Sequence, residues 1–380
     1  MAGLYLHIPY CRKACSYCDF YFLTGRSTQA AFVAALQTEL RLRAGTLPTP
    51  LETVYYGGGT PSLLVPAELE ALQTAVATLY GTAPSAEVTL EANPDDVTPG
   101  RAQAWRALGI TRVSLGVQSF HDDELRQMGR AHSADEARRS IGALQAAGFE
   151  RLSLDLIYHL PGSTPARWGH SLAEALALGV GHLSCYALTV EPRTALAHQV
   201  ANGRVALPDE AAYTEQYLAL VAATQAAGYT HYEVSSFAQP GHESRHNWAY
   251  WQGAPYLGLG PAAHSFDGHR TRRWNAPNLH AYLEALAENR LPPHETEVLT
   301  AAQRFNEVLV TGLRTQDGFS LPQAQTAFPE LDLMRWAERH TAYLVKLVAE
   351  GLVARPLPQL GLTDRGLLHA DGIAARLALG

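Results

Sequence analysis

The chain has 380 residues, 47% of them hydrophobic and 17% charged, enough to bury a substantial core in one large domain with an appendage, or in two domains, with no bias towards disorder. Its formal net charge of -7 argues against general nucleic-acid binding, which draws on a basic stripe. No run of about 18 apolar residues offers a membrane span, and no basic-then-apolar leader marks it for secretion, so the expected compartment is the cytoplasm, where clustered cysteines serve as metal ligands and not disulfides.

Along the chain, short β-rich runs at 4–9, 53–57, 87–92, 112–117, 151–158 and 182–190 alternate with helical patterns at 29–43, 66–79, 99–108, 134–147, 166–178 and 209–227, where Leu and Ala recur at helical spacing. A further strand is expected over 229–237. Such alternation means an α/β fold on a parallel sheet, either open or closed into a barrel. From about His294 the texture changes. Helices are expected over 300–313 and 331–350, then a hairpin from 351–355 and 359–363, with Thr363 capping a last helix. Helices followed by a small hairpin suggest a winged-helix-like module, here with a packing or partner-docking role. The expected divisions are 1–240, 241–295 and 296–380.

Three of the four cysteines fall in one run, His7-Ile8-Pro9-Tyr10-Cys11-Arg12-Lys13-Ala14-Cys15-Ser16-Tyr17-Cys18. Three thiolates can hold three irons of a cubane cluster and leave the fourth without a protein ligand; an open metal position is where chemistry happens. A structural zinc site would want a fourth ligand, and His7, on the expected strand, is a poor candidate. Cys185 sits in an apolar strand and reads as a small core residue. Next comes Tyr55-Tyr56-Gly57-Gly58-Gly59-Thr60-Pro61 at a strand end, where glycines let the backbone approach a ligand closely. Glu91, Gln118 and Asp155 also fall at strand ends, the edge that carries the active site in barrels and open α/β sheets alike.

C-x3-C-x2-C with an aromatic before its last cysteine, followed by Gly-Gly-Gly-Thr-Pro, resembles the radical S-adenosylmethionine (SAM) superfamily. Tyr5-Leu6-His7-Ile8-Pro9, Glu91-Ala92-Asn93-Pro94, Gly116-Val117-Gln118-Ser119-Phe120, Gly129-Arg130-Ala131-His132 and Asp155-Leu156-Ile157-Tyr158 resemble the oxygen-independent coproporphyrinogen III oxidase family, which includes heme chaperones. The resemblance runs through nearly the whole chain. It implies an incomplete radical SAM barrel of (β/α)6 type over 1–240, a connecting region with a heme motif over 241–295, and the family's C-terminal domain over 296–380. It further implies a 4Fe–4S cluster on Cys11, Cys15 and Cys18, with SAM chelating the fourth iron. Gly58, Gly59 and Thr60 would bind the methionine end of SAM, and Tyr5, Tyr17, Glu91, Gln118, Arg130 and Asp155 would line its site. Arg130 suits a carboxylate, and Asp155 suits ribose hydroxyls or an ammonium.

Two departures separate the family's oxidases from its chaperones. The oxidases carry one more cysteine two positions after the third, where this chain has Phe20. They also have a longer N-terminal extension, which is not expected ahead of Tyr5. Both favour a chaperone that binds heme, a 4Fe–4S cluster and SAM and delivers heme; the alternative is an oxidase decarboxylating coproporphyrinogen III to protoporphyrinogen IX. His246-Asn247-Trp248-Ala249-Tyr250-Trp251 resembles the H-N-x-x-Y-W motif of the chaperones, which implies heme binding. Neutral imidazole can ligate heme iron, so His246 is the expected ligand, sharing a helix face with Tyr250. Arg270, Arg272 and Arg273 are read as a solvated loop in preference to propionate partners. His159 stands where relatives have Gly, and either narrows the pocket or points outward. The implied partners are heme-accepting proteins and an electron donor, with transient membrane association and no nucleic acid.

Overall fold

The computed structural model describes residues 2–380. Six parallel strands, β1 (Gly3–Ile8), β2 (Leu51–Gly58), β3 (Thr82–Ala92), β4 (Arg112–Gln118), β5 (Arg151–Tyr158) and β6 (His182–Ala187), pair in chain order. Helices link them, among them Gln29–Leu42, Pro66–Tyr80, Pro99–Ala107, Ala134–Ala146 and Pro165–Ala177. Local chemistry sets where these begin. Thr98 and Thr164 cap their helices just ahead of Pro99 and Pro165, and Ser133 and Glu136 form a reciprocal capping box that satisfies two otherwise orphaned amides.

Strand alternation sorts the residues. Leu4, Leu6 and Ile8, Val54 and Tyr56, Val88 and Leu90, Val113 and Leu115, Leu152 and Leu154, and Leu183 and Cys185 all join one buried apolar cluster with the helices. Their neighbours on the opposite face are polar and bond one another: Tyr55 to Glu91, Ser114 to Asp155, and Ser153 to His182. A sheet whose concave face is polar is built to hold a ligand and not to pack a second apolar layer.

The sheet stays open. Beyond β6 the chain turns antiparallel through β7 (Thr230–Glu233) and β8 (Ser236–Ala238), so the strand expected over 229–237 is two. The break is the two-residue turn at Val234–Ser235, from which Val234 N–H donates to Arg314 O at 2.8 Å. Likewise β6 stops at Ala187, short of the expected 190, and Leu188 N–H to Tyr158 O is its last bond to β5. Beyond β1, four strands extend the sheet: β9 (Tyr256–Leu259), β10 (His264–Phe266), β11 (Thr271–Asn275) and β12 (His294–Val298). Arg272 and Arg273 therefore lie in a strand and not in a loop. Buried Glu39, on the first helix, accepts from Gly260 N, Asn275 Nδ2 and Tyr282 Oη at 2.7–2.8 Å, tying 241–295 onto the same core.

A second core gathers Phe305, Leu309, Phe319, Trp336 and Leu360. Here helix Ala301–Leu313, strand β13 (Phe319–Ser320), helices Leu321–Ala327 and Leu333–Ala349 and the hairpin β14 (Val353–Arg355) and β15 (Gln359–Leu362) follow in winged-helix order, with β13 pairing β15. Thr363 caps helix Asp364–Leu367, and a further helix, Ala370–Leu377, ends the fold. The module meets the barrel edge-on: Gln316 N–H donates to Tyr232 O at 3.0 Å and Glu233 bridges Thr315. No helix among the described residues is long and apolar enough to cross a membrane.

Candidate cofactor site

The cysteines lie in the loop that leaves β1. Its base is pinned by Cys11 N–H to Leu23 O (2.9 Å) and Leu23 N–H to Pro9 O (2.6 Å). Its outer part is held by Ser16 N–H to Met128 O (3.0 Å) and by Arg12 Nε to Asp96 (2.8 Å). All three thiols are partly exposed, and line one cavity of about 580 Å³ at the strand ends. Burial pushes the Cys11 thiol up and the Cys18 thiol up to about 11; bound metal is what would draw their protons off. Among the described residues no trio of His, Cys, Asp or Glu converges on a single ion; a cubane, taking one iron per thiolate, needs no such convergence. Cys185 is buried in the core, as its strand position implied.

The glycine loop forms the opposite wall. Gly58, at φ +107°, donates its N–H to Glu91 Oε2 at 3.1 Å. A Cβ on Gly57 would lie 2.8 Å from the rings of Tyr5 and Tyr55, and one on Gly59 would lie 2.7 Å from Tyr10 O and 2.9 Å from Ile8 O. The backbone of this loop thus seats directly on the base of the cysteine loop. Thr60 Oγ1 approaches Cys11 Sγ at 3.5 Å and accepts from Asn93 Nδ2 at 3.2 Å.

Glu91 and Asp155 face the cavity from β3 and β5. Burial pushes Glu91 up to about 7, opposed by its bond from Tyr55 Oη at 2.8 Å. Burial likewise pushes Asp155 up to about 6, opposed by Arg112 and by Ser114, which donates at 3.1 Å. Both carboxyls therefore sit in wait for a cation or hydroxyl donor. Gln118 ends β4 at φ +68°, a strained turn of the kind that gathers at functional sites. Arg130 reaches Cys15 Sγ (3.5 Å), Asn93 Oδ1 (2.6 Å) and Gly116 O (2.7 Å), while its Nε has no partner among the described residues.

Of the expected residues, Cys11, Cys15, Cys18, Tyr17, Gly58, Gly59, Thr60, Glu91, Gln118, Arg130 and Asp155 line this cavity together. Tyr5 does not: it lies beneath Gly57, stacked on Tyr55 at 5.9 Å, with its hydroxyl 3.3 Å from His7 Nδ1. His159 stays outside as well. Its φ of +61° explains why Gly suits that place, and its Nε2 bonds Pro208 O at 3.0 Å, away from the cavity. His246 is 1% exposed. Thr53 Oγ1 holds its Nδ1 and Tyr250 Oη holds its Nε2, both at 2.8 Å, so the expected iron ligand has no free nitrogen in this conformation, although the shared face with Tyr250 is as expected. Sequence reasoning missed Asn93, Ser114 and Tyr186 as cavity residues; for Ser114, strand alternation two residues before Gly116 was the available signal.

An open parallel sheet whose strand ends gather a C-x3-C-x2-C loop and a glycine cradle defines a radical SAM protein, and the model of the radical SAM superfamily matches residues 5–175. The heme chaperone HemW of Mycobacterium tuberculosis is 39% identical, covering 99% of this chain and 94% of the relative, and that of Bacillus subtilis is 34% identical, covering 99% and 95%. Radical S-adenosyl methionine domain-containing protein 1, mitochondrial, of Mus musculus is 37% identical over 99% of this chain and 87% of its own. Among solved structures, the coproporphyrinogen III oxidase HemN from Escherichia coli matches with a TM-score of 0.84 over 99% of this chain and 90% of that one, at 23% identity, which shows the fold alone. The chain belongs to the HemW family of HemN-like radical SAM proteins.

Membership implies a 4Fe–4S cluster and SAM, and the residues fit both. Three thiols line one cavity, a backbone wall leaves no room for a Cβ, and a buried Arg130 Nε lacks a partner. Cys11, Cys15 and Cys18 would each hold an iron, Gly58–Thr60 would face the methionine end, and Glu91 and Asp155 would meet its cationic and hydroxyl groups. When bound, cluster and SAM would supply one-electron reductive chemistry; the chain supplies position, charge and shielding from water.

Proposed function

We propose that the protein is a heme chaperone, which binds heme together with the cluster and SAM and hands heme to acceptor proteins. The observation that carries this reading is the full-length similarity, at 34–39% identity, to relatives named heme chaperones. The hexapeptide 246–251 supports it: helix Arg245–Trp251 turns Asn247, Tyr250 and Trp251 towards a cleft outside the SAM cavity. Acceptor proteins, an electron donor and transient membrane contact during delivery, in the cytoplasm, complete the proposal.

The second reading is coproporphyrinogen III oxidation, favoured by the HemN-like fold. Against it stands Phe20, 69% exposed at the rim of the SAM cavity, where the oxidases carry a cysteine. Anaerobic incubation of reconstituted protein with coproporphyrinogen III, SAM and a reductant should give no protoporphyrinogen, whereas hemin should bind and then move to an apo-acceptor. Sustained conversion of coproporphyrinogen III would overturn the chaperone reading.

A further inference from the structure

The polar face of the sheet carries a buried cation beneath the SAM cavity. Arg112, the first residue of β4, is 1% exposed. It shares its strand face with Ser114, which lines the cavity. Two residues along a strand span about 6.6 Å, a step that an extended arginine side chain covers. Its Nη1 and Nη2 have no hydrogen-bond partner among the described residues, and neither has the hydroxyl of Thr89, its register neighbour on β3. A guanidinium taken out of water is costly unless opposite charge lies close by.

The acids on this face differ in what compensates them. Glu87 accepts from the backbone N–H groups of Arg245 and His246, at 3.2 and 3.0 Å, and has Arg151 at 3.9 Å. Glu91 and Asp155 receive neutral donors, Tyr55 and Gly58 for the first and Ser114 for the second. The charge of Asp155 also works against that of Glu91. Of the cations nearby, Arg130 is spent on Asn93, Gly116 and Cys15, and Arg151 donates to Gly241 O. Arg112 opposes the upward shift of Asp155 ahead of any other neighbour, and opposes that of Glu91 as well.

We infer that Arg112 is a positioning residue of the SAM site, whose charge holds Glu91 and Asp155 as carboxylates from beneath the cavity, ready for the cationic and hydroxyl groups of SAM. The inference rests on the SAM reading of the cavity and is independent of the heme reading. The other buried groups facing the pair keep one protonation state across about pH 5.5–8.5. Burial, aided by nearby negative charge, pushes the phenols of Tyr5, Tyr17, Tyr55, Tyr186 and Tyr250 up. Burial and Arg112 itself keep the imidazoles of His182 and His246 neutral. Burial keeps the Cys185 thiol protonated, and Cys11 would be a cluster ligand in the loaded protein. Arg130, Lys13 and Glu191 also face the cavity.

The test is SAM affinity, by calorimetry on the anaerobically reconstituted protein, followed from about pH 5.5 to 8.5. Wild type should lose affinity on the acid side as Glu91, at about 7, and Asp155, at about 6, take up protons. Arg112→Gln removes the charge, so both carboxyls protonate at higher pH, and the acid limb should move up by about one pH unit. Affinity near pH 7 then falls roughly tenfold, while near pH 8.5 the two proteins agree within about threefold. Arg112→Lys, which keeps the charge, should return the limb to near its wild-type position. The C=O band of protonated carboxyls, read by infrared spectroscopy on the metal-free protein, should shift along the pH axis in the same way with no SAM present. A loss of affinity by the same factor at every pH means that Arg112 only supports the fold, and overturns the inference; so does an unmoved limb or an unmoved band. Should Arg112→Gln fail to fold, Arg112→Lys decides alone: a limb near that of wild type upholds the role of the charge, and any other profile overturns it. Wild-type protein that binds no SAM overturns the SAM reading of the cavity, a result distinct from the others.

Discussion

Gly59→Ala tests the junction between the glycine loop and the cysteine loop. The added methyl would lie 2.7 Å from Tyr10 O, 2.9 Å from Ile8 O and 3.0 Å from Pro9 C. All three are backbone atoms, so no side chain can swing away, and relief requires one loop to retreat by about half an ångström to reach an ordinary C···O separation of ~3.3 Å. Overpacking of this kind costs about 1–3 kcal/mol. The retreat would also stretch the Gly59 N–H bond to Ile8 O, now 2.8 Å, and carry Thr60 away from Cys11. We expect SAM affinity, measured by calorimetry on the anaerobically reconstituted protein, to fall roughly 10–100-fold, with a loss of a few degrees in Tm. Gly25→Ala serves as the control, since its Cβ would meet nothing within 4 Å. If Gly59→Ala binds SAM within twofold of wild type and melts with it, the two loops are not in the contact described.

Glu91, raised to about 7 from an ordinary 4.5, keeps its proton in the folded state over a range where the unfolded chain has lost it. Its contribution to stability is therefore full below pH ~4.5 and disappears as pH rises to about 7, on the order of 3 kcal/mol. Melts of the metal-free protein should show Glu91→Gln more stable than wild type at pH 8 and equal to it at pH 4.5; a constant difference across pH would refute the shift. Cys15→Ala should lower the iron content of reconstituted protein and its visible cluster absorption. Cys185→Ala, in the core, should keep its iron and lose about 1 kcal/mol, read by denaturant titration. His159→Gly relieves a left-handed backbone but gives up the bond to Pro208 O, so stability should change by less than about 1 kcal/mol and SAM affinity not at all.

The six parallel strands were legible because their apolar runs are bounded by Gly, Pro and long helical periods. The cavity was legible because its backbone-defining residues, Gly58, Gly59 and the cysteines, cluster in sequence. What stayed hidden depends on distant pairing. Strands β10, β11 and β12 are short and rich in polar or charged residues, such as Arg272, Arg273, Glu295 and Glu297; they exist because β9 pairs with β1, some 250 residues away. Tyr5 sits on the correct face of β1 but one layer too deep, a difference that depends on strand stagger and not on alternation. For His246, the motif identified the helix, but the partners that occupy its imidazole include Thr53, 193 positions earlier. No local pattern could report that both nitrogens were taken.

Strand β7 ends the twelve-stranded sheet, and the segment 314–316 of the C-terminal module covers part of it through Val234 N–H, Tyr232 O and the Glu233–Thr315 bridge. An uncovered strand edge is a template for pairing with another copy of itself. A chain cut after Leu313 would therefore retain its first core but lose its guard against self-association, and its failure would be insolubility more than unfolding.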